Sequence, residues 1–412
     1  MRILIATDAF PPRSGGSGWS AYELAKGLRA RGHTIVLVQT YSEGEAVPQG
    51  YDEFVIDAFK VFAPKIPFVR NYFRNEYLYP LLGAHLEEVI RREKIDLVHA
   101  QHILTGPPSV MAARLAGIRS VVTVRDYWPL DYWGDSLGDP LSGHSTTSSA
   151  EMIRSLRART GAAWPLGLPA VPYMQLNLRN KQASLAAANV VVAVSQYVAS
   201  VLRARVPELA ETRIEAIPNA VDVRGVRAEV EATEPPIAEP YALFVGKLAK
   251  NKGADLLGDL LTRARLDIPL VIVGEGPERG TVERAAAAAG QKLRMLGWLD
   301  RREVFRWLEH ATVLVFPSNW PEPLSRVLIE ASALSVPIAA MNTGGTPDII
   351  VDEETGLLSS SVEELASDVA RLAADAPLRG RLGEAARRRA ESHFDSAVVI
   401  DRMEKLYADA MA

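Results

Sequence analysis

The sequence of 412 residues has no cysteine and no long hydrophobic run. Without cysteine the chain forms no disulfide, no thiolate nucleophile and no thiolate metal site, which fits a reducing compartment such as the cytoplasm. No stretch approaches the roughly 18 consecutive apolar residues that a membrane-spanning helix requires. Asp8 interrupts the first apolar run early, so we predict a strand there and not a signal peptide.

An excess of charge of one sign is also lacking. The formal net charge is −4, so we expect no global attraction to nucleic acid or to an anionic membrane, although a local basic face is compatible with this value. Hydrophobic residues make up 48% of the sequence and charged residues 23%, which is the balance of a soluble globular protein. The length exceeds one compact core and predicts two domains.

Short apolar runs alternate with helical patterns in both halves of the chain, which is typical of βα units on parallel sheets. Strands are predicted at 2–6, 34–39, 96–100, 120–124, 189–194, 241–246, 269–274, 292–297, 312–317 and 336–341. We predict an α/β protein with two doubly wound domains and ligands at the carboxyl ends of the strands. The predicted boundaries are 1–222 with the final helix 395–412 for the first domain, 223–240 for an acidic, proline-rich linker and 241–394 for the second domain.

Three loops after predicted strands suit phosphate or nucleotide binding. The glycines of PPRSGGSGW (Pro11–Trp19) and of VIVGEGPE (Val271–Glu278) let backbone amides or a planar base approach the chain. The lysines of VGKLAKNKG (Val245–Gly253) suit the neutralisation of a diphosphate. Each loop alone fits a plain tight turn or a solvated lysine loop equally well.

Two glutamates flank a helix start in WPEPLSRVLIE (Trp320–Glu330). Glu322 follows a predicted strand, where a carboxylate accepts hydrogen bonds from sugar hydroxyls. Ser325 stands at the predicted N-cap, and its hydroxyl and the following amides suit a phosphate. Glu330 lies inside the helix, in a position to bind ribose hydroxyls. A surface glutamate followed by a helix cap is the structural alternative.

Together these segments resemble the retaining GT-B glycosyltransferases of glycosyltransferase family 4, along nearly the whole chain. E-P-L-S-R-V-L-I-E is similar to the family's E-x-F-G-x-x-x-x-E signature, and PNAVD, ASALSVPIAA, NTGGTPDII and ETGLL are similar to family segments. The resemblance implies two Rossmann-like domains facing a central cleft. It also implies a hexosyltransferase-type enzyme that transfers sugar from a nucleotide-diphosphate donor, UDP or GDP most readily, to a hydroxyl acceptor with retention.

The resemblance also implies a role for individual residues. Glu322, Lys252, Lys247 and His102 are expected to be catalytic, with Gln101 competing for the place of His102 because of a one-residue offset. Donor binding is expected at Gly15, Gly16, Gly274, Glu275, Leu324, Ser325, Arg326, Val327 and Glu330, and acceptor binding at Arg125, Asp126 and Tyr127. No D-x-D motif occurs, so we expect lysines and helix amides to replace a metal ion, with no other cofactor.

The sequence departs from the family pattern at four positions. Lys247 stands where an arginine is usual, and Ser325 replaces a common glycine. Asp348 replaces a common glutamate, and Arg125 a frequent histidine. None of these changes removes a chemically required group, but each leaves the donor less defined.

Two segments of the first domain suggest where an acceptor or a membrane binds. Residues 59–74 carry Lys60, Lys65, Arg70 and Arg74 among five aromatics and no acid, which suits anionic lipid at the inner face of a membrane and a lipid-linked, cell-envelope acceptor. Residues 164–174 are apolar and broken by three prolines. The alternative is that these aromatics are core residues.

Two other classes of function stay open at this stage. A sugar-nucleotide epimerase or a phosphorylase would use the same scaffold; the epimerase would convert a donor without acceptor, and the phosphorylase would carry a yellow pyridoxal cofactor. A non-catalytic nucleotide-binding protein would tolerate loss of Lys252 and Glu322. No nucleic-acid partner is expected.

Overall fold

The chain was analysed as a computed structural model, which describes residues 1–11, 14–42, 51, 53–61, 67–134 and 146–412. The chain divides into two compact units. Unit 1 comprises Met1–Pro218 and Ile400–Ala412, and unit 2 comprises Asn219–Val399.

Unit 1 is built on a parallel sheet of seven strands in the order β3-β2-β1-β4-β5-β6-β7. The strands are β1 Arg2–Thr7, β2 Thr34–Ser42, β3 Val55–Val61, β4 Leu97–Ala100, β5 Arg119–Val124, β6 Val190–Ala193 and β7 Ile214–Ala216. Central strands such as RILIAT are almost entirely apolar because helices cover both faces of a parallel sheet. The order reverses next to β1, and such a reversal is where doubly wound sheets bind ligands, at the carboxyl ends of the strands.

The helices of unit 1 cover this sheet. They are α1 Gly16–Ala30, α2 Pro67–Phe73, α3 Tyr79–Glu93, α4 Gly106–Ala116, α5 Ser149–Thr160, α6 Val171–Ala186 and α7 Gln196–Arg205. A π-helical turn, Arg74–Leu78, joins α2 to α3, and 3-10 segments occupy Gly161–Ala170 and Pro207–Leu209. Leu82, Leu86 and Val89 of α3 are fully buried against Leu4 and Val36 of the sheet. Full burial of each such side chain contributes roughly 1.5–3 kcal/mol.

Unit 2 repeats the architecture with six parallel strands in the order β10-β9-β8-β11-β12-β13. The strands are β8 Ala242–Val245, β9 Leu270–Val273, β10 Leu293–Gly297, β11 Val313–Phe316, β12 Ile338–Met341 and β13 Leu357–Ser359. The helices are α8 Val223–Val230, α9 Leu257–Ala264, α10 Arg279–Ala288, α11 Arg301–Glu309, α12 Arg326–Ala333, α13 Thr346–Ile349, α14 Val362–Ala374 and α15 Ala376–His393, with a 3-10 turn at Lys250–Lys252.

The last helix, α16 Ser396–Met411, runs from unit 2 into unit 1. Its Tyr407 is fully buried, and the hydroxyl lies 2.6 Å from Nδ1 of His99 on β4. Nε2 of the same ring lies 2.7 Å from the Thr123 hydroxyl on β5. The C-terminal helix is thus hydrogen-bonded to β4 through His99, which is itself hydrogen-bonded to β5.

The predicted fold class, two doubly wound α/β domains, is confirmed. Every predicted strand is present, whereas β3, β7 and β13 were not predicted. All three are edge strands, which are less buried and show a weaker apolar pattern. The segment predicted as a linker, 223–240, begins with helix α8, whose Val223, Val226 and Val230 are buried. The domain boundaries themselves stay predictions.

Candidate functional site

A buried carboxylate, Glu322, follows strand β11 in unit 2. Glu322 is 4% exposed, and its Oε1 lies 2.5 Å from Lys252 Nζ and 2.9 Å from the Ser318 hydroxyl. Such a buried carboxylate stays charged only when a cation and hydrogen-bond donors offset its lost hydration. Lys252 supplies the cation, and its own side chain is 32% exposed. The structure thus brings together two of the residues predicted to be catalytic.

The backbone around Lys252 explains this position. Lys252 ends the 3-10 turn that follows β8. Gly253 comes next, with φ +69, and a Cβ there would lie 1.9 Å from the Pro317 carbonyl oxygen. Only glycine therefore lets this turn pack directly against the chain that leads from β11 to Glu322. Lys247, earlier in the loop, is exposed and forms no ion pair within the described part of the chain.

The glycine pair of NTGGT holds the backbone of Glu322. The Gly345 amide donates to the Glu322 carbonyl oxygen over 2.6 Å. Gly344 has φ +55, and a Cβ there would lie 2.4 Å from the same oxygen. The loop after β12 therefore requires glycine so that it can approach Glu322 closely.

Helix α12 presents its N-terminus three residues after Glu322. Ser325 is the N-cap in an extended conformation, and its side chain makes no capping hydrogen bond. The first turn carries no acidic residue, and Leu324 is 8% exposed. Uncapped amides and the positive end of the helix dipole suit an anion, and the donor contacts of Leu324, Ser325 and Val327 stay predictions.

The Arg326 side chain turns away from that N-terminus. Its Nε donates to Glu330 Oε1 over 2.8 Å, and Nη1 donates to the Ala220 carbonyl oxygen over 2.9 Å. The side chain is only 6% exposed, and that of Glu330 is 12% exposed. Arg326 was predicted to bind the donor; its guanidinium fixes the Glu330 carboxylate, and a donor contact of its backbone amide stays a prediction.

The glycines after β9 have a structural reason of their own. Gly274 has φ +137, and a Cβ there would lie 1.9 Å from the Gly246 carbonyl oxygen in the loop after β8. The exposed Glu275 forms an ion pair with Arg279 on α10 at 3.0 Å. The two loops thus pack backbone to backbone, and donor contacts of Gly274 and Glu275 stay predictions.

Unit 1 places a histidine and an aspartate at adjacent strand ends. Nδ1 of His102, after β4, lies 2.9 Å from Asp8 Oδ1, after β1, and 3.1 Å from the Thr7 hydroxyl. His102 is 8% exposed, and its Nε2 is buried with no hydrogen-bond partner among the residues that the structure describes. If Nδ1 carries the proton and donates it to Asp8, Nε2 is an acceptor for a ligand hydroxyl.

The rival candidate, Gln101, is engaged elsewhere. Its Oε1 lies 2.5 Å from Arg125 Nη2, after β5, and the residue is fully buried. The Arg125 guanidinium therefore points to the end of β4, where it takes the place of the family's frequent histidine. This geometry favours His102 over Gln101 for the predicted role.

The predicted acceptor residues differ in accessibility. Asp126 is partly buried, and Oδ1 accepts a hydrogen bond from the Trp128 amide over 2.9 Å. Burial raises the pKa of Asp126 to about 6, against the lowering effects of that hydrogen bond and of His102. Tyr127 is fully buried, so direct contact of its side chain with an acceptor is not supported. The apolar, aromatic surroundings of this loop explain the burial.

Helix α1 begins at the predicted glycine loop. Gly15 is its N-cap and Gly16 its first residue, both are exposed, and the first turn has no acidic side chain. A Cβ at Gly15 would meet nothing within 4 Å. Packing within unit 1 does not require this glycine, which leaves close approach of a ligand as its predicted role. Pro12 and Arg13 lie outside the described residues.

Two residues at these sites, Asp8 and Ser318, were not predicted from the sequence. Asp8 follows β1 as Asp126 follows β5, so its position after a strand was an available signal. Ser318 resembles an ordinary turn residue in sequence, and only its hydrogen bond to Glu322 reveals it.

Among the described residues, no group of His, Asp and Glu side chains is arranged to hold a metal ion. The helices described here include none with the length and apolarity needed to cross a bilayer.

Family models match both halves of the chain. A glycosyltransferase family 4 model matches residues 14–224, and a model of group 1 glycosyl transferases matches residues 227–389. The chain belongs to glycosyltransferase family 4. It is therefore a glycosyltransferase of the GT-B type that uses nucleotide sugars, and the predicted enzyme class is confirmed.

Relatives of full length support this assignment. The chain is 26% identical to alpha-maltose-1-phosphate synthase of Mycolicibacterium smegmatis and 29% identical to that of Mycobacterium tuberculosis, over 100% of each chain. It is 25% identical to a Mycobacterium tuberculosis glycogen synthase, covering 95% of that protein. Relatives with different activities are thus similar to this chain at nearly equal identity, so they do not identify its donor or its acceptor.

Solved structures show the same fold. Sucrose-phosphate synthase from Thermosynechococcus elongatus gives a TM-score of 0.72 at 20% identity, covering 99% of both chains. Anabaena HepE in complex with UDP gives 0.68 at 16% identity, covering 99% of this chain and 100% of that one. At this identity the likeness establishes the fold alone.

Proposed function

We propose that this family 4 glycosyltransferase moves a hexosyl group from a UDP- or GDP-sugar to a hydroxyl acceptor, with retention and without a metal ion. The observation that carries the proposal is the Lys252–Glu322 ion pair three residues before the N-cap of α12. It combines a cation, a buried carboxylate and uncapped helix amides at one strand exit. UDP is the first nucleotide to test, because solved relatives bind it.

The leaving group in this reaction is a nucleoside diphosphate. Lys252, Lys247 and the amides of the first turn of α12 supply the positive charge that its phosphates require. Glu322 is left to accept hydrogen bonds from donor sugar hydroxyls, and Glu330 from the ribose. The donor contacts of Gly15 and Gly16, at the start of α1 in unit 1, stay predictions.

No protein carboxylate is needed as general base in this scheme. The acceptor oxygen forms the new bond to the anomeric carbon as the bond to the phosphate oxygen breaks on the same face, and the acceptor proton passes to that phosphate oxygen. Oε1 of Glu322 is already held by Lys252 and Ser318, which supports a binding role. His102 Nε2 and Asp126 are the proposed contacts to the acceptor in unit 1.

A contact with an anionic membrane surface is proposed for one face of unit 1. The rings of Tyr72 on α2 and Tyr173 on α6 lie 5.3 Å apart, so the described parts of 59–74 and 164–174 meet. Side chains with large exposed fractions on these elements are Tyr72 42%, Leu166 85%, Leu168 39% and Leu176 56%. Exposed aromatic and aliphatic groups beside the exposed Arg70 suit a lipid interface.

Not every aromatic side chain of segments 59–74 and 164–174 belongs to this exposed surface. Phe59 belongs to β3 and packs against the core of unit 1, and Phe68 and Trp164 pack against a second core cluster. Residues 62–66, with Lys65, lie outside the described residues. Sedimentation with vesicles of phosphatidylglycerol or phosphatidylcholine tests the proposal with Leu166→Ser against Leu115→Ser, an exposed leucine on α4. Equal binding of both variants and the parent would contradict it.

The proposed reaction is tested first by calorimetric titration of UDP, GDP, ADP and dTDP with a chelator present throughout. Tight binding of one nucleotide supports a donor site that lysines and amides complete, whereas binding only with added divalent ion contradicts it. NMR of the product then reports the anomeric configuration. Conversion of a donor sugar without any acceptor would favour the epimerase alternative.

A further inference from the structure

Arg74 opens the π-helical turn between α2 and α3 in unit 1. Its Nε and Nη2 atoms are buried and have no hydrogen-bond partner in the described part of the chain. Nor does its guanidinium form an ion pair with any described residue. Burial of guanidinium N–H groups without acceptors is unfavourable, and π-helical turns are frequent at functional sites. Both facts indicate that the Arg74 guanidinium binds an anionic ligand.

A second basic side chain, Lys181 of α6, contacts Tyr132, whose ring also lies 6.1 Å from that of Phe68 on α2, the helix that leads into Arg74. Lys181 is 2% exposed, its Nζ donates to the Tyr132 carbonyl oxygen over 2.9 Å, and it lies 5.3 Å from the centre of the Tyr132 ring. Burial, and then the Arg74 charge, hold the pKa of Lys181 well below its ordinary value. The charges of Asp131 and Asp126 act on this pKa in the opposite direction. An anion between the two bases would favour the charged lysine.

The helix that follows Arg74 is hydrogen-bonded to the loop that carries His102. The Tyr79 hydroxyl donates to the Ile103 carbonyl oxygen over 2.9 Å, which ties the start of α3 to the loop of His102. Burial raises the pKa of Tyr79 to about 12, and the charges of Arg74, Asp8 and Asp126 all act on it. Arg74 therefore lies in the same region of unit 1 as the Asp8–His102 pair.

We propose that the acceptor carries a phosphate monoester and that Arg74, supported by Lys181, binds it. The proposal rests on the proposed function, because it assigns the acceptor to the His102 region. Nε and Nη2 on one edge of a guanidinium suit two oxygens of one anion, and two basic groups match the charge of about −1.5 to −2 that a phosphate monoester carries at pH 7. The acceptor hydroxyl would then be held next to His102 Nε2.

Titration of the chain with inorganic phosphate, by calorimetry in a phosphate-free buffer, tests the subsite directly. We expect Arg74→Gln to weaken phosphate binding about tenfold or more, because charge-assisted bonds to a buried guanidinium are lost. Arg179→Gln, an exposed arginine on α6, should bind phosphate as the parent does. Saturating UDP is present throughout, because inorganic phosphate would otherwise also bind the donor site of unit 2, where Lys252 is proposed to hold phosphates.

Equal phosphate binding by the parent and Arg74→Gln would overturn the proposal. So would a parent that does not bind phosphate. UDP titration of Arg74→Gln separates the phosphate subsite from the proposed transferase function. If this variant binds UDP and also binds phosphate as the parent does, only the subsite is refuted. Arg74→Lys keeps the charge without the two-pronged contact, so we expect an intermediate affinity, and this variant decides the matter if Arg74→Gln does not fold. In activity assays, Arg74→Gln should raise the KM for sugar phosphates used as acceptors. Its KM for neutral sugars should equal that of the parent.

Discussion

Lys252 Nζ lies 2.5 Å from Oε1 of Glu322, although the two residues are 70 positions apart in the sequence. The ion pair joins the loop after β8 to the loop after β11, which are neighbouring strands of the unit 2 sheet. The lysine proposed to neutralise the leaving diphosphate and the carboxylate proposed to bind the donor sugar thus form an ion pair in the absence of a donor. Removing either partner leaves the other without its counter-charge.

Replacement of Glu322 by Gln keeps the shape of the side chain and removes its charge. We expect kcat to fall about 10²-fold or more, because a preorganised contact to the reacting sugar is weakened, while UDP binding is largely kept. Lys252→Ala should instead weaken UDP binding, and Lys292→Ala, an exposed lysine on the same unit, should not. Activity restored to Glu322→Gln by an external base would contradict the binding role of Glu322.

Replacement of Gly253 by Ala should destabilise unit 2. The residue has φ +69, and its new Cβ would lie 1.9 Å from the Pro317 carbonyl oxygen. Backbone strain of this kind costs about 1–3 kcal/mol, and the clash adds to it. We expect a clear drop in Tm, measured by circular dichroism, and weaker UDP binding because Lys252 is displaced.

Gly380→Ala is the matched control. Gly380 lies in α15, and a Cβ there meets nothing within 4 Å. Alanine is favoured over glycine in a helix interior by about 0.5–1 kcal/mol, so Tm should stay constant or rise. A Gly253→Ala variant that is as stable as Gly380→Ala would contradict the prediction, because the turn would then accommodate alanine in another conformation.

The stability of unit 1 should depend on the protonation of His99. Burial, and then the Arg125 charge, lower the pKa of His99 to about 3, whereas an ordinary histidine titrates near 6.5. Between these values the unfolded chain binds the proton and the folded chain does not. The contribution of His99 is therefore present above pH 6.5 and is lost as the pH falls towards 3, by about 1.4 kcal/mol per pH unit.

Thermal unfolding of the parent and of His99→Gln from pH 7.5 to pH 4.5 measures this effect. We expect the parent to lose Tm more steeply than the variant in that interval. Tyr407→Phe removes the hydroxyl that lies 2.6 Å from His99 Nδ1. It should destabilise the chain by about 1–3 kcal/mol, because a buried polar atom loses its partner. Equal pH slopes for the parent and His99→Gln would contradict the neutral, buried histidine.

The central strands were predictable from the sequence because burial on both faces makes them continuous apolar runs. β1, RILIAT, has five buried residues of six. β3 is different: four consecutive residues are half-buried and only Val61 is buried, so no continuous apolar run marks the strand. The loop glycines were predictable as turn residues. Why glycine is required there depends on contacts with residues distant in sequence, such as that of Gly253 with Pro317.

The candidate site was predictable only where the family signature lies in consecutive residues, as from Glu322 to Glu330. Arg74 illustrates the limit, because it was predicted as part of a surface patch, whereas the structure buries its Nε and Nη2. Lys181 follows a helical pattern whose hydrophobic face gives no hint of a buried amine. Contacts between elements far apart in sequence determine the burial and the partners of such side chains. Local sequence patterns do not reveal these contacts.

The guanidinium of Arg326 should determine how well the enzyme recognises ribose. It donates to Glu330 Oε1 over 2.8 Å and to the Ala220 carbonyl oxygen over 2.9 Å, and so fixes the carboxylate proposed to bind the ribose hydroxyls. We expect the parent to bind UDP at least tenfold more tightly than 2′,3′-dideoxy-UDP, because a bond between a hydroxyl and a charged carboxylate contributes about 1.5–3 kcal/mol. Arg326→Gln should reduce this ratio by making Glu330 mobile, and Glu330→Gln should reduce it further. Binding of the dideoxy compound itself should change little in either variant. A ratio that Arg326→Gln leaves intact would show that Glu330 is held without the arginine.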